Sequence, residues 1–301
     1  MKLTFNTPDK HQPDPFIFED NGKFYLYVTA MDGVEAYSAT DIFGEWHFEG
    51  IVGSVDNRCD YWAPSVIRYQ DTYYLYVSCW AKNQSQYMHV LSAKSPLGPF
   101  NNPKCLYDHF SIDSHVVETE AGLFLWYAKN NTNCVLKGTR LFVDKLLDPY
   151  TPAYEPREML VPTFEEERFL LDQNHYTLEG AFWFQEGDWQ YLMYSGGNYQ
   201  NDTYHVGYAA AKTNEPDLTK VEFIKHTENG HFSPVLIKNE FEEGTGHHSV
   251  IKYQGQYYAI YHARDHRDLA DDTYVEQRTA RICKLHVKDG IITAERYPDR
   301  I

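Results

Sequence analysis

Asp14-Pro-Phe-Ile-Phe-Glu-Asp-Asn-Gly22, followed at once by Phe24-Tyr-Leu-Tyr-Val28, is the stretch that decides the fold. It reads as an aromatic and β-branched run, a polar turn and a second apolar run, which is the pattern of a β-hairpin. The pattern returns as Ala63-Pro-Ser-Val-Ile-Arg-Tyr-Gln-Asp71 with Tyr73-Tyr-Leu-Tyr-Val77. Three looser copies follow. They run from Asp113 through Gly122 to Trp126, from Glu179 through Gly187 to Tyr194, and from His247 through Gly255 to Tyr261. Copy starts are separated by 63−14 = 49, 113−63 = 50, 179−113 = 66 and 247−179 = 68 residues. In the first two copies the match continues into a third strand and loop, Ser38 to Trp46 against Ser92 to Phe100. A period of roughly 40–50 residues with four strands per unit is the signature of a β-propeller. The expectation is an all-β, five-bladed β-propeller forming a single domain over 1–301, with blades starting near residues 14, 63, 113, 179 and 247. The extra length of the later copies, such as Asp148 to Asn174, is expected in outer-strand or loop insertions.

Composition agrees and excludes several partners. Aromatic residues make up 16% of the 301 residues, an excess that favours strands and suits stacking on sugar rings. The formal charge of −16 lacks the cationic footprint that nucleic acid or an anionic membrane requires. No apolar run approaches the roughly 18 residues of a membrane span. Five cysteines, an odd number without a CxxC pair, and an N-terminal segment without an apolar signal core lead to the expectation of a reduced, cytoplasmic location.

Aligned on the hairpin turn, Asp14, Asp113, Glu179 and His247 fall in one slot of their copies, eight or nine residues before the turn glycine. The first strand of each propeller blade lines the central axis, so residues in that slot converge at one mouth. Acidic residues at strand starts often only cap turns, but three carboxylates in register would repel one another if buried together and raise at least one pKa. A paired-carboxylate hydrolase, a metal site and a sugar-binding lectin all remain compatible with this geometry.

At these residues the sequence resembles glycoside hydrolase family 43, over about residues 11 to 290. Pro13-Asp14-Pro15 resembles the segment of that family's general base, and Ile112-Asp113 that of its pKa-modulating aspartate. Leu178-Glu179-Gly180 resembles the general-acid segment, with Glu-Gly-Ala here in place of the usual Glu-Gly-Pro. Tyr61-Trp62-Ala63-Pro64 is similar to the element whose Trp lines the sugar pocket. Tyr194-Ser-Gly-Gly197 matches as well, and Gly246-His247 resembles the segment whose His faces an ion or water in the axial channel. Arg278, with Arg281 as the alternative, resembles the substrate-contacting Arg of the last blade.

The resemblance implies an inverting hydrolase of pentose linkages with no required cofactor and a structural Ca²⁺ as an option at His247. Inversion needs a protonated carboxyl at the leaving oxygen and an ionised one activating water on the opposite face. Glu179 is the expected acid and Asp14 the expected base, with Asp113 raising the pKa of Glu179 by repulsion. Trp62 and Arg278 are the expected substrate-binding residues, and pentose-containing oligosaccharides the expected partners. The family's β-xylosidases append a β-sandwich, whereas this chain ends at Ile301, just after the fifth copy. That tilts the expectation toward an α-L-arabinofuranosidase or exo-arabinanase. The alternatives are a β-xylosidase, an endo-arabinanase, a retaining fructan-acting relative and a non-catalytic sugar-binding propeller. Trp80, Trp126 and His248 read as structural, His262-Ala-Arg-Asp-His266 lacks a second ligand set for zinc, and Cys59 has no base partner.

Overall fold

The second run of each copy is apolar at every position, and a strand with that pattern is buried on both faces. The computed structural model describes residues 1–81, 85–170, 172, 174–266 and 277–296, and it shows what covers those faces. Each copy forms an antiparallel meander. The first blade runs Phe16–Asp20, Lys23–Val28, Val34–Ala39 and Glu45–Gly53. The second runs Arg58–Tyr69, Thr72–Ala81, Gln86–Ala93 and Asn101–Cys105. The third is built on Ile112–Thr119, Gly122–Asn131 and Lys137–Asp148. The fourth runs Leu178–Glu186, Trp189–Gly196, His205–Lys212 and Ile224–Lys225, and the fifth Glu243–Tyr253, Gln256–Arg264, Thr279–Lys288 and Ile291–Glu295.

Five apolar clusters fill the five gaps between neighbouring blades, including the gap between the last blade and the first, so the ring closes. The second strand feeds two clusters at once. Tyr25 and Tyr27 pack toward the second blade, while Phe24, Leu26 and Val28 pack toward the fifth. Phe124 and Trp126 likewise face the fourth blade, and Leu125 and Tyr127 the second. At roughly 1.5–3 kcal/mol for each fully buried large apolar side chain, these faces hold the ring. The all-β, five-bladed propeller read from the repeat is the fold. Among the described residues the only helical turns are two 3₁₀ turns, Glu165–Glu167 and Leu218–Lys220, and no helix is long and apolar enough to cross a membrane.

The third blade carries the extra length at its outer edge. Thr151–Pro152, Arg157–Leu160 and His175–Tyr176 all pair with its third strand, and Arg168–Leu170 adds to the last of these. The insertion reaches the mouth of the ring. Asn198 donates to the Phe169 carbonyl at 3.1 Å, and the Phe169 ring lies 6.3 Å from that of Tyr199.

Candidate active site

One backbone feature recurs in every innermost strand. Asp14, Ala63, Asp113, Gly180 and His247 all have positive φ, at 53°, 45°, 61°, 59° and 39°. Each stands seven residues ahead of the first residue of its hairpin turn, at Asn21, Gln70, Glu120, Gly187 and Gln254. In the second to fifth blades the strand pairing shifts register here, as at a β-bulge. Left-handed backbone costs a non-glycine residue on the order of 1 kcal/mol or more, and such strain clusters at functional sites.

This slot corrects one detail of the repeat alignment. Glu179 does not share the slot of Asp14, Asp113 and His247; Gly180 does, and Glu179 precedes it. The turn glycine caused the slip. Gly22 and Gly255 are second in their turns, whereas Gly187 is first. A Cβ at position 180 would lie 3.4 Å from both His247 Nδ1 and Ser195 Oγ, besides the strain of φ +59°. The positive φ is what favours glycine there, since 3.4 Å is ordinary contact.

Asp14, Asp113, Glu179 and His247 line one cavity of about 260 Å³, together with Trp62, Arg278, Thr29, Asp60, Ile112, Tyr199 and Tyr204. Every sequence-predicted site residue is therefore at this mouth. Arg281 is not. It is buried on Glu242 at 3.1 Å and Asp265 at 2.9 Å, which leaves Arg278 as the arginine of the cavity.

The carboxylates sit in unlike surroundings. Asp14 Oδ2 accepts from Thr29 Oγ1 at 2.6 Å, and Thr29 Oγ1 accepts from the Ala63 N–H at 2.8 Å. Asp14 Oδ1 lies 3.6 Å from Arg278 Nη1, 3.6 Å from His247 Nδ1 and 3.3 Å from His262 Nδ1. Burial pushes the Asp14 carboxyl up, but the charges of His247 and then Arg278 outweigh it and hold it far below the usual carboxylate range. Burial also lowers both imidazoles, His262 to about 4, against the raising pull of Asp14.

Glu179 and Asp113 lack such compensation. Burial, with a further contribution from Asp14, pushes Glu179 up to about 7 against a hydrogen bond from Tyr204 Oη at 2.6 Å and the pull of Arg278. Asp113 is raised well above its ordinary value by burial, then by Glu179 and Asp14; the Gly180 N–H, donating to Oδ2 at 3.0 Å, only partly offsets this. The raised Glu179 was expected to come from Asp113 repulsion; its main cause here is burial. Two carboxyls are thus pushed toward their protonated forms beside one that is held toward its ionised form.

The donor atoms of Asp113, Glu179 and His247 lie within 4.8 Å of one another. Ca²⁺ takes six to eight oxygens, so these residues would supply only part of its shell. Below His247 the axial channel narrows to about 10 Å³ between His115, His248 and Phe182, roughly the room for one water. His115 stacks on Phe182 at 4.1 Å and His248 is buried, as structural residues are.

Sequence reasoning missed Thr29, Tyr204 and His262. His262 was set aside as part of a metal-like run; its neighbours disperse instead, Arg264 to the Tyr199 carbonyl, Asp265 to Arg281 and His266 to Glu243. Trp126 is core as expected, while Trp80 is 39% exposed and belongs to no core cluster. All five cysteines are free.

A propeller mouth holding one carboxyl pushed toward its protonated form and another held toward its ionised form is the pair a glycosidase uses. The chain belongs to the glycosyl hydrolases family 43, whose model matches residues 8–292. It is 24% identical to an extracellular exo-α-(1→5)-L-arabinofuranosidase of Streptomyces avermitilis, over 99% of this chain and 68% of that protein. It is 25% identical to the extracellular exo-α-(1→5)-L-arabinofuranosidase ArbA of Cellvibrio japonicus, over 91% of this chain and 83% of that one. A thermostable family-43 glycoside hydrolase of known structure superposes with a TM-score of 0.79 at 24% identity, covering 95% of this chain and 93% of the other. The expected cytoplasmic location is corrected by these relatives, both of which are named as extracellular enzymes.

Proposed function

We propose that this glycosidase is an exo-acting α-L-arabinofuranosidase that inverts the anomeric centre of arabino-oligosaccharides. The observation that carries the reading is the opposed state of two carboxyls in one cavity, Glu179 pushed up to about 7 and Asp14 held low. Glu179 protonates the leaving glycosidic oxygen. Asp14, ionised, takes a proton from a water that attacks the anomeric carbon on the opposite ring face. Asp113 bonds the N–H next to Glu179 and so fixes where the acid stands.

The substrate class rests on the two arabinofuranosidase relatives and on cavity size. About 260 Å³ is below the roughly 300–1,000 Å³ of pockets for drug-sized ligands, which suits one terminal ring with Trp62 as its stacking face. The test compares hydrolysis of p-nitrophenyl α-L-arabinofuranoside with that of the β-D-xyloside, with NMR of the anomer first released. A dominant arabinoside rate and an inverted product are expected. Retention of configuration would reject the mechanism, and a dominant xyloside rate would reject the substrate.

A further inference from the structure

Tyr204 and His262 form a stacked pair beneath the mouth, with ring centroids 5.6 Å apart and planes 12° apart. Each is completely buried, and each reaches a different carboxylate residue. Tyr204, just ahead of the fourth blade's third strand, donates its hydroxyl to Glu179 Oε1 at 2.6 Å. His262, on the fifth blade's second strand, accepts the Asp14 N–H on Nδ1 at 3.1 Å. That bond requires Nδ1 to be bare, which the neutral ring supplies. It also anchors Asp14 in the left-handed backbone that aims its side chain at the cavity.

The fold makes room for this pair. A Cβ on Gly246 would lie 2.0 Å from the Tyr204 ring, so glycine beside His247 is a steric condition for Tyr204 to lie where it does. We propose that the Tyr204–His262 stack is a positioning unit for both carboxylates, Tyr204 aiming the proton-donating oxygen of Glu179 and His262 fixing the backbone of Asp14. This rests on the acid and base roles given above. Glu179 is faced by Tyr204, Asp14, Asp113, Arg278 and His247, and Tyr204 donates a hydrogen bond to it.

A hydroxyl donated to a carboxylate favours its ionised form, so removing it raises the proton affinity of Glu179. In Tyr204→Phe, the ¹³C carboxyl titration of Glu179, assigned by its loss in Glu179→Gln, should rise by about one pH unit. The basic limb of kcat/KM on arabinotriose should rise with it, and kcat should fall about tenfold with KM little changed. Gly246→Ala displaces the ring without removing the hydroxyl and should shift the limb in the same direction. His262→Phe keeps a stacked ring but loses the acceptor. It should lower kcat while leaving the basic limb in place.

An unmoved Glu179 titration in Tyr204→Phe overturns the proposal, as does the same profile change in all three variants, which general loosening would give. Failure of the underlying roles looks different. The Glu179 titration would then respond to Tyr204→Phe while the wild-type basic limb followed some other group.

Discussion

The two sides of the mouth bury carboxyls to a similar depth and treat them in opposite ways. On the side of the first and fifth blades, Asp14 meets a guanidinium, two imidazoles and a threonine hydroxyl. On the side of the third and fourth, Asp113 and Glu179 meet one backbone N–H, one tyrosine hydroxyl, each other and, at 3.8 Å from Asp113, the shared His247. Desolvation is common to both, so the difference lies in partners. The charges of His247 and Arg278 decide for the ionised form of Asp14, whereas burial remains the largest influence on Asp113 and Glu179. On the proposed roles, one ring keeps a base and an acid ready at the same pH.

The harshest way to break this contrast is to delete one member. Glu179→Ala and Asp14→Ala should each lower kcat/KM on arabino-oligosaccharides by about 10²–10⁴-fold or more, with the fold retained by circular dichroism. Their leaving-group dependence should differ. Glu179→Ala should recover much of its loss on a dinitrophenyl glycoside, whose leaving group needs no proton, whereas Asp14→Ala should not. Equal recovery by both would undo the acid and base assignment.

Much of this was legible in the sequence because a repeat carries it. Asp14, Asp113 and His247 occupy a slot that returns in every blade, and the doubly buried second strand writes an unbroken apolar run five times. Glu179 was found by the same count, although it stands one residue outside the slot that Gly180 fills. Tyr204 and His262 have no such marker. They come from second and third strands, whose inward ends carry no repeated signature, and Tyr204 is one of 25 tyrosines. Their role depends on a stacking contact across two blades, a distance that periodicity does not encode.

A gentler test asks for opposite signs in stability. Glu179 is raised from 4.5 to about 7, so the folded state holds more protons than the unfolded one between those values. Stability therefore falls as pH rises through that window and is flat above it. Glu179→Gln removes the penalty and should stabilise the protein at pH 7 by up to roughly 3 kcal/mol, and hardly at all at pH 4. Asp14 runs the other way. Its lowered carboxyl contributes stability above its unfolded value that is lost as pH falls toward the folded one. Asp14→Asn should therefore destabilise at pH 7. Urea titrations of both variants at the two pH values check this, and two changes of the same sign at pH 7 would contradict it.

The mildest change targets the cation that separates the two sides. Arg278 lies over the Tyr199 ring at 5.1 Å and 3.6 Å from Asp14, so it ties the cavity wall to the base. Arg278→Gln keeps a planar polar group and removes the charge. Asp14 should then move up toward the ordinary carboxylate range, because one of the charges that hold it down is gone. The acid limb of kcat/KM, expected below the usual carboxylate values in the wild type, should rise into the measurable range. Glu179, which Arg278 also pulls down, should move up as well, carrying the basic limb to higher pH. The whole profile would slide upward with only about a tenfold loss in kcat/KM at its optimum, on the order of 1.4 kcal/mol. A basic limb that shifts while the acid limb stays fixed would mean that Asp14 owes its low proton affinity to His247 and His262 instead. The two sides of the mouth would then differ by their histidines rather than by their arginine.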